Sequence, residues 1–182
     1  MTTIKAEMFS GLKDANAALI NDVVKILNDP RFTFAEPLRQ ILLQSKYALR
    51  TEQSGDSIGG NDAGLFIDPK DVAGIKAPGQ IVIQSKDVKD SGLLGAVNLI
   101  EIIIHEGMGH GNAEKIENRL KAFEALKGSD GTPTQRGDKY IKSWLDDEAF
   151  SRYQSYQALT QMMELKLWEP GRIKAFLDGN PL

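Results

Sequence analysis

Apolar residues return at helical intervals over residues 12–28, where Leu12, Ala15, Leu19, Val23 and Ile26/Leu27 fall on one face. Asn28-Asp29-Pro30 ends that helix, because proline lacks the N–H that would continue it. A second helix is expected from Glu36-Pro37 to about Leu49, with Leu38, Ile41, Leu42, Ser45 and Leu49 on one side and Pro37 in the first turn. Residues 51–63 are polar and glycine-rich, the composition of a loop. Gly64-Leu65-Phe66-Ile67 then reads as a short strand broken by Asp68-Pro69. Gln80-Ile81-Val82-Ile83-Gln84, β-branched and preceded by Pro78-Gly79, reads as a better one.

The pattern changes after residue 90. Asp90 or Ser91 can cap a helix running from about Gly92 to His110. Leu93, Leu94, Val97, Ile100, Ile103 and Ile104 make it apolar over most of its circumference, so it should be buried. Residues 113–127 form an amphipathic helix through Ile116, Leu120, Phe123 and Leu126. Residues 128–137 form a polar loop, long enough for the mobile rim of a cleft. A last long helix is expected over Lys139–Leu165, then a break at Glu169-Pro170-Gly171 and a short helix near Arg172–Leu177. These elements amount to a mainly α, α+β single domain over residues 1–182 with a small β-sheet or hairpin, without repeats or a second domain.

Both histidines of the chain lie in one stretch, Ile104-His105-Glu106-Gly107-Met108-Gly109-His110-Gly111, at the end of the apolar helix. Neutral imidazoles bind zinc, and an adjacent carboxylate can take a proton from metal-activated water. Glu106 buried without a partner would cost several kcal/mol or be neutralised. The spacing is unusual. Histidines at i and i+4 lie about 40° apart around a helix and reach one ion, whereas i and i+5 lie about 140° apart on a regular α-helix. A π-bulge absorbs one residue and returns i and i+5 to one face. Gly107 and Gly109 read two ways: permissive backbone for that bulge, or a helix end that leaves His110 in a loop.

His105-Glu106-Gly107-Met108-Gly109-His110-Gly111 resembles the HExxGHG motif of the dipeptidyl peptidase III family of zinc metallopeptidases, although those enzymes are several times longer. Downstream, Glu148-Ala149-Phe150-Ser151 is similar to the glutamate-ligand helix of thermolysin-like peptidases, with its NEAFSD pattern. More loosely it resembles the paired-acid EExxxE helix of the first family. The resemblance implies a zincin-like domain in which His105, His110 and Glu148 bind a zinc ion (Zn2+) and Glu106 activates water. Asp147 is the rival third ligand. Arg152 stands where both patterns carry an acid supporting a histidine, so Asp147 or Asp146 would have to take over that orienting role. The likeness further implies that the strand at 80–84 either pairs with an extended peptide substrate or only covers the core. Tyr156, two helical turns beyond Glu148, is a candidate donor to an oxyanion. Glu114, Glu117 and Glu124 are ligands in principle and more simply a solvated face.

Composition narrows the partners. With 182 residues, 41% hydrophobic, the chain can bury a full core. A net charge of −3 without a basic block gives no footprint for nucleic acid, and no apolar run approaches a membrane span. Without cysteine there are no disulfides or thiolate ligands. The N-terminus lacks an apolar h-region, so the expected localisation is cytoplasmic, or secreted without a cleavable signal peptide as a bacterial effector or toxin would be. The expected partner is a peptide or protein substrate; oligomeric state is not encoded in any motif. The alternatives are a non-catalytic, metal-stabilised binding domain with a degenerate zincin site, and a metal-free helical interaction module in which Glu106 pairs with a basic side chain.

Overall fold

The computed structural model describes residues 3–44, 47–56, 58, 63–68, 71–72, 75–76, 79–89 and 93–167. Its helices are α1 (Ala17–Leu27), α2 (Glu36–Leu43), α3 (Leu93–Ile104), α4 (Ala113–Lys127) and α5 (Pro133–Glu164). A π-helical segment, His105–His110, joins α3 to α4. The strands are β1 (Tyr47–Thr51), β2 (Gly64–Ile67), β3 (Asp71–Val72), β4 (Ile75–Lys76) and β5 (Gly79–Ile83). The molecule is therefore mainly helical with a small three-stranded sheet, the α+β domain its pattern predicts. No helix among the described residues is long and apolar enough to cross a membrane.

Helix α3 sits at the centre. Ala96, Val97, Leu99, Ile100, Ile102, Ile103 and Ile104 are all at most 2% exposed, so most of the helix faces protein, and only the side carrying Asn98 and Glu101 is half-buried. Each fully buried isoleucine stabilises the fold by roughly 2–3 kcal/mol, which anchors the segment that follows it. Helix α1 packs on α3 through its buried stripe Leu19, Ile20, Val23, Ile26 and Leu27. The α1 helix starts at Ala17 rather than near residue 12, because the Asn16 side chain accepts from Ala18 N–H and sets the N-cap there.

The second helix is shorter than its periodicity suggests. It stops at Leu43, and Tyr47–Thr51 leaves as strand β1 with alternating burial. Leu49 alone of these continues the helical stripe, whereas Tyr47, Leu49 and Thr51 together make one face of a strand, and pairing with β5 realises the strand. β1 lies parallel to β5, with Tyr47 opposite Gly79 and Thr51 opposite Ile83, and β2 lies antiparallel on the other side. The sheet order β1-β5-β2 makes β5 the central strand. Its ladder is filled on both sides, and Ile81, Val82 and Ile83 are fully buried. The strand at 80–84 therefore covers the core and has no edge for a peptide; β1 and β2 are the two edges of the sheet, and β2 is the one that packs on the π-helical segment. β3 and β4 form a separate two-stranded hairpin that the pattern did not predict.

Two helix boundaries also move. Helix α5 begins at Pro133, so the connection from α4 is only 128–132 and not a ten-residue rim. Thr132 and Gln135 close a reciprocal capping box with Pro133 at the first helical position. Helix α4 covers the expected span, but its apolar stripe is not its buried one: Leu120 and Phe123 are 52% and 45% exposed, while Arg119 is buried. The hydrogen bonds of that arginine, described below, rotate the helix away from its apolar register. The Asp90/Ser91 cap, Pro69, the break at 169–171 and the short helix near 172–177 lie outside the described residues, as do the side chains of Leu93 and Leu94.

Candidate metal centre

The π-helical segment touches β2, α2, α3, α4 and α5, and is the point where the layers meet. Its wide turn is closed by Gly111 N–H donating to Glu106 C=O at 2.8 Å, five residues back. That closure brings His105 and His110 onto one side, with ring centroids 4.9 Å apart. Of the two readings of the glycines, the bulge is the one realised, and the helix ends only after His110. The reason for glycine is nevertheless different from backbone permissiveness. A Cβ on Gly107 would lie 2.8 Å from Ile81 Cδ1, and one on Gly109 would lie 2.6 Å from Ser151 Cα. The glycines let the segment lie directly on β5 and α5. Tyr47 completes the seat by donating its hydroxyl to Gly111 C=O.

Helix α5 presents Asp147, Ser151, Ser155, Ala158 and Met162 inward. Glu148 stands at the border of that stripe and reaches both imidazoles. Its Oε2 is 3.7 Å from His105 Nε2 and 3.4 Å from His110 Nε2, and one ligand atom from each of the three residues falls within 4.8 Å of the others. Ligands at about 2.0–2.1 Å around a tetrahedral zinc are separated by roughly 3.3 Å. Two of the cluster's edges are close to that value, so the donor set fits zinc after a small closure. Among the described residues, this is the group of histidines and acids so arranged.

Asp147 does not join the cluster as a ligand. It is fully buried, and its Oδ2 accepts from His110 Nδ1 at 2.8 Å. It therefore stands behind the histidine, where an orienting carboxylate belongs. Asp146 is exposed. Arg152, more than half exposed, donates its Nε to Glu148 Oε1 at 2.7 Å, which leaves Oε2 turned to the histidines. Tyr156 is 53% exposed and about 12 Å along α5 from Glu148. Glu117 and Glu124 pair with Lys121 and Lys127 on the outer face of α4, and Glu114 is exposed.

The electrostatics follow from this packing. Burial pulls the His110 imidazolium down, but hydrogen bonds to Asp147 and Glu148 and the charge of Glu106 outweigh it and raise its pKa to about 9. The same hydrogen bonds, from His105 and His110, hold the Glu148 carboxyl far below its usual range. Asp147 is lowered despite its burial, by His110 and Arg119. Glu106 goes the other way: 6% exposed, it is raised by desolvation, only partly offset by the histidines. It lies against Gly64 of β2, where a Cβ would come within 3.0 Å of Glu106 Cγ.

Three residues of the site carried little sequence signal. Arg119 lies inside a run of alternating charges that reads as solvated surface. Asp68 reads as a strand breaker, and Gly64 as an ordinary strand start. Glu101 did carry a signal, a lone charge within Leu99–Ile104 one turn before His105. Desolvation raises its carboxyl, against lowering by Ser155, His105 and Arg152. Comparison with protein-family models, with curated proteins and with solved structures finds no match for this chain.

Proposed function

We propose that the protein is a zinc-dependent hydrolase, a metallopeptidase that cleaves peptide bonds. The observation that carries this reading is the convergence of His105, His110 and Glu148 at near-zinc spacing, with the buried Glu106 next to the first histidine. His105 and His110 would hold the ion through Nε2 and Glu148 through Oε2. Bound zinc supplies Lewis acidity: it polarises a carbonyl and lowers the pKa of water to near 7.

The chain's own groups account for the rest. Asp147 fixes the His110 tautomer, so that Nε2 carries the free lone pair. Arg152 holds Glu148 by one oxygen and so keeps the other for the cluster. Glu106, whose desolvated carboxylate is a stronger base than a solvent-exposed one, accepts the proton of the attacking water and returns it to the leaving amine. Gly64 lets β2 pack directly on that side chain, where a Cβ would lie 3.1 Å from Glu106 Oε1, and an extended peptide added along the β2 edge would run beside it.

The test is Glu106→Gln. Zinc content near one per chain should survive in the variant while hydrolysis of a peptide library is lost, a fall of at least about 100-fold. Hydrolysis retained in the variant sinks the mechanism. The second reading, a metal-stabilised binding domain, is favoured by Arg152 standing at the cluster on Glu148. Chelation separates the two: a structural ion unfolds the domain when removed, a catalytic one leaves it folded and inactive.

A further inference from the structure

We propose that Arg119 is the positioning residue of this centre, and that through it Asp68, which touches no candidate ligand, governs how tightly the centre holds metal; this rests on the metal-centre reading above. The Arg119 side chain is buried, and its guanidinium reaches three groups from three parts of the chain. Nη1 donates to Asp147 Oδ2, and Nη2 donates to Asp68 Oδ1 at 2.7 Å and to the His110 carbonyl at 3.1 Å. Its guanidinium carbon lies 5.8 Å from the centroid of the Trp144 ring.

Asp147 explains why this matters. Its Oδ2 accepts from both His110 Nδ1 and Arg119, whereas its Oδ1 is buried without a hydrogen-bond partner among the described residues. The carboxylate is thus held from one oxygen only. Arg119 is the second donor to that oxygen, so it helps fix the position of the atom that orients the imidazole. The imidazole it orients is held at the backbone as well, because the same guanidinium grips the His110 carbonyl. A planar fork with fixed N–H directions can serve all three acceptors, which a lysine ammonium cannot do with the same geometry.

Asp68 supplies the remaining anchor. It follows β2 directly, at the far end from Gly64 and Glu106, and its side chain is 37% exposed. The ion pair therefore ties the sheet edge that faces Glu106 to the support of His110. Losing it leaves Arg119 with two acceptors, both on the His110 side, and frees its other flank to shift.

The experiment is a zinc competition titration against a chromophoric chelator, on the full chain at fixed pH. Arg119→Lys should weaken zinc binding by about tenfold or more, in the range seen when support behind a ligand is lost. Because a buried arginine can also matter for folding, the deciding variant is Asp68→Asn, whose side chain is partly exposed. It should weaken zinc binding several-fold with the thermal midpoint of the metal-free protein unchanged, and Asp68→Glu should restore it. Asp56→Asn, which breaks the other ion pair of the sheet region with Arg50, should leave zinc affinity alone. Tight zinc binding in the wild type with the same affinity in Asp68→Asn overturns the coupling while leaving the metal centre standing. No zinc in the wild type overturns both.

Discussion

Gly109→Ala is the sharpest perturbation of the centre, because it adds one carbon at the closest approach of two helical segments. The new Cβ would lie 2.3 Å from Ser151 Oγ, 2.5 Å from its Cβ and 2.6 Å from its Cα. A rotamer change can move the hydroxyl, but Cβ and Cα move only with the backbone of α5. Carbon atoms pack best at 3.5–4.0 Å, so α5 must retreat by about 1 Å. Glu148 is three residues away on the same helix and retreats with it. Its distances of 3.7 and 3.4 Å to the histidine nitrogens would then exceed the roughly 3.3 Å edge of a zinc tetrahedron by more than 1 Å. Overpacking costs about 1–3 kcal/mol, and the greater helix propensity of alanine offsets up to about 1 of that. The loss of stability should thus be small. The loss of zinc affinity should be about 100-fold, because displacement of a ligand by 1 Å is of the size that disables a preorganised site. The assay is the thermal midpoint of the metal-free protein together with a zinc competition titration. Gly137→Ala is the control: it lies on the same helix with open space where its Cβ would be, and should stabilise by about 0.5–1 kcal/mol without touching affinity. Gly109→Ala binding zinc within twofold of wild type would refute the argument that this glycine sets the ligand geometry.

Two further outcomes follow from the charges around His110. Its pKa is raised from 6.5 to about 9 in the metal-free protein, so its stabilising contribution is complete below pH 6.5 and is lost as pH rises through 9, up to about 3 kcal/mol. Zinc needs the neutral ring, so affinity should rise about tenfold per pH unit until about 9. Thermal midpoints of chelated and zinc-loaded protein should therefore diverge between pH 6.5 and 9, and parallel curves would contradict the ligand role of His110. Asp147→Asn leaves the buried Arg119 with Asp68 as its sole anionic partner and should destabilise by about 3–5 kcal/mol, lowering the thermal midpoint by about 10 °C. Zinc affinity should fall 10- to 100-fold in the same variant, read by competition titration, and an unchanged affinity would remove Asp147 from the support of His110.

What the sequence determined by itself were the features that depend on local pattern. The isoleucine-rich helix is buried because it is apolar over most of its circumference, wherever it sits. The strand at 79–83 follows from a β-branched run between turn residues. The i and i+5 spacing with its glycines narrowed the segment to two outcomes, a π-helical turn or a helix end that leaves His110 in a loop, and the fold realises the first. Glu148 stood out only through its resemblance to a glutamate-ligand helix, since an acidic run on a helix by itself reads equally as surface. Only the tertiary structure decided the rest. Tyr47–Thr51 became a strand because β5 offered it hydrogen bonds, and the same pairing put β5 in the centre and β2 at the edge. The glycines proved to serve close approach to Ile81 and Ser151, contacts 26 and 42 positions away that no local pattern encodes. Arg119 overrode the apolar stripe of α4 because a buried guanidinium must keep its acceptors, and those come from Asp68, His110 and Asp147, in three separate parts of the chain. A charge among charges looks like surface in a sequence; its burial depends on partners that only folding brings together.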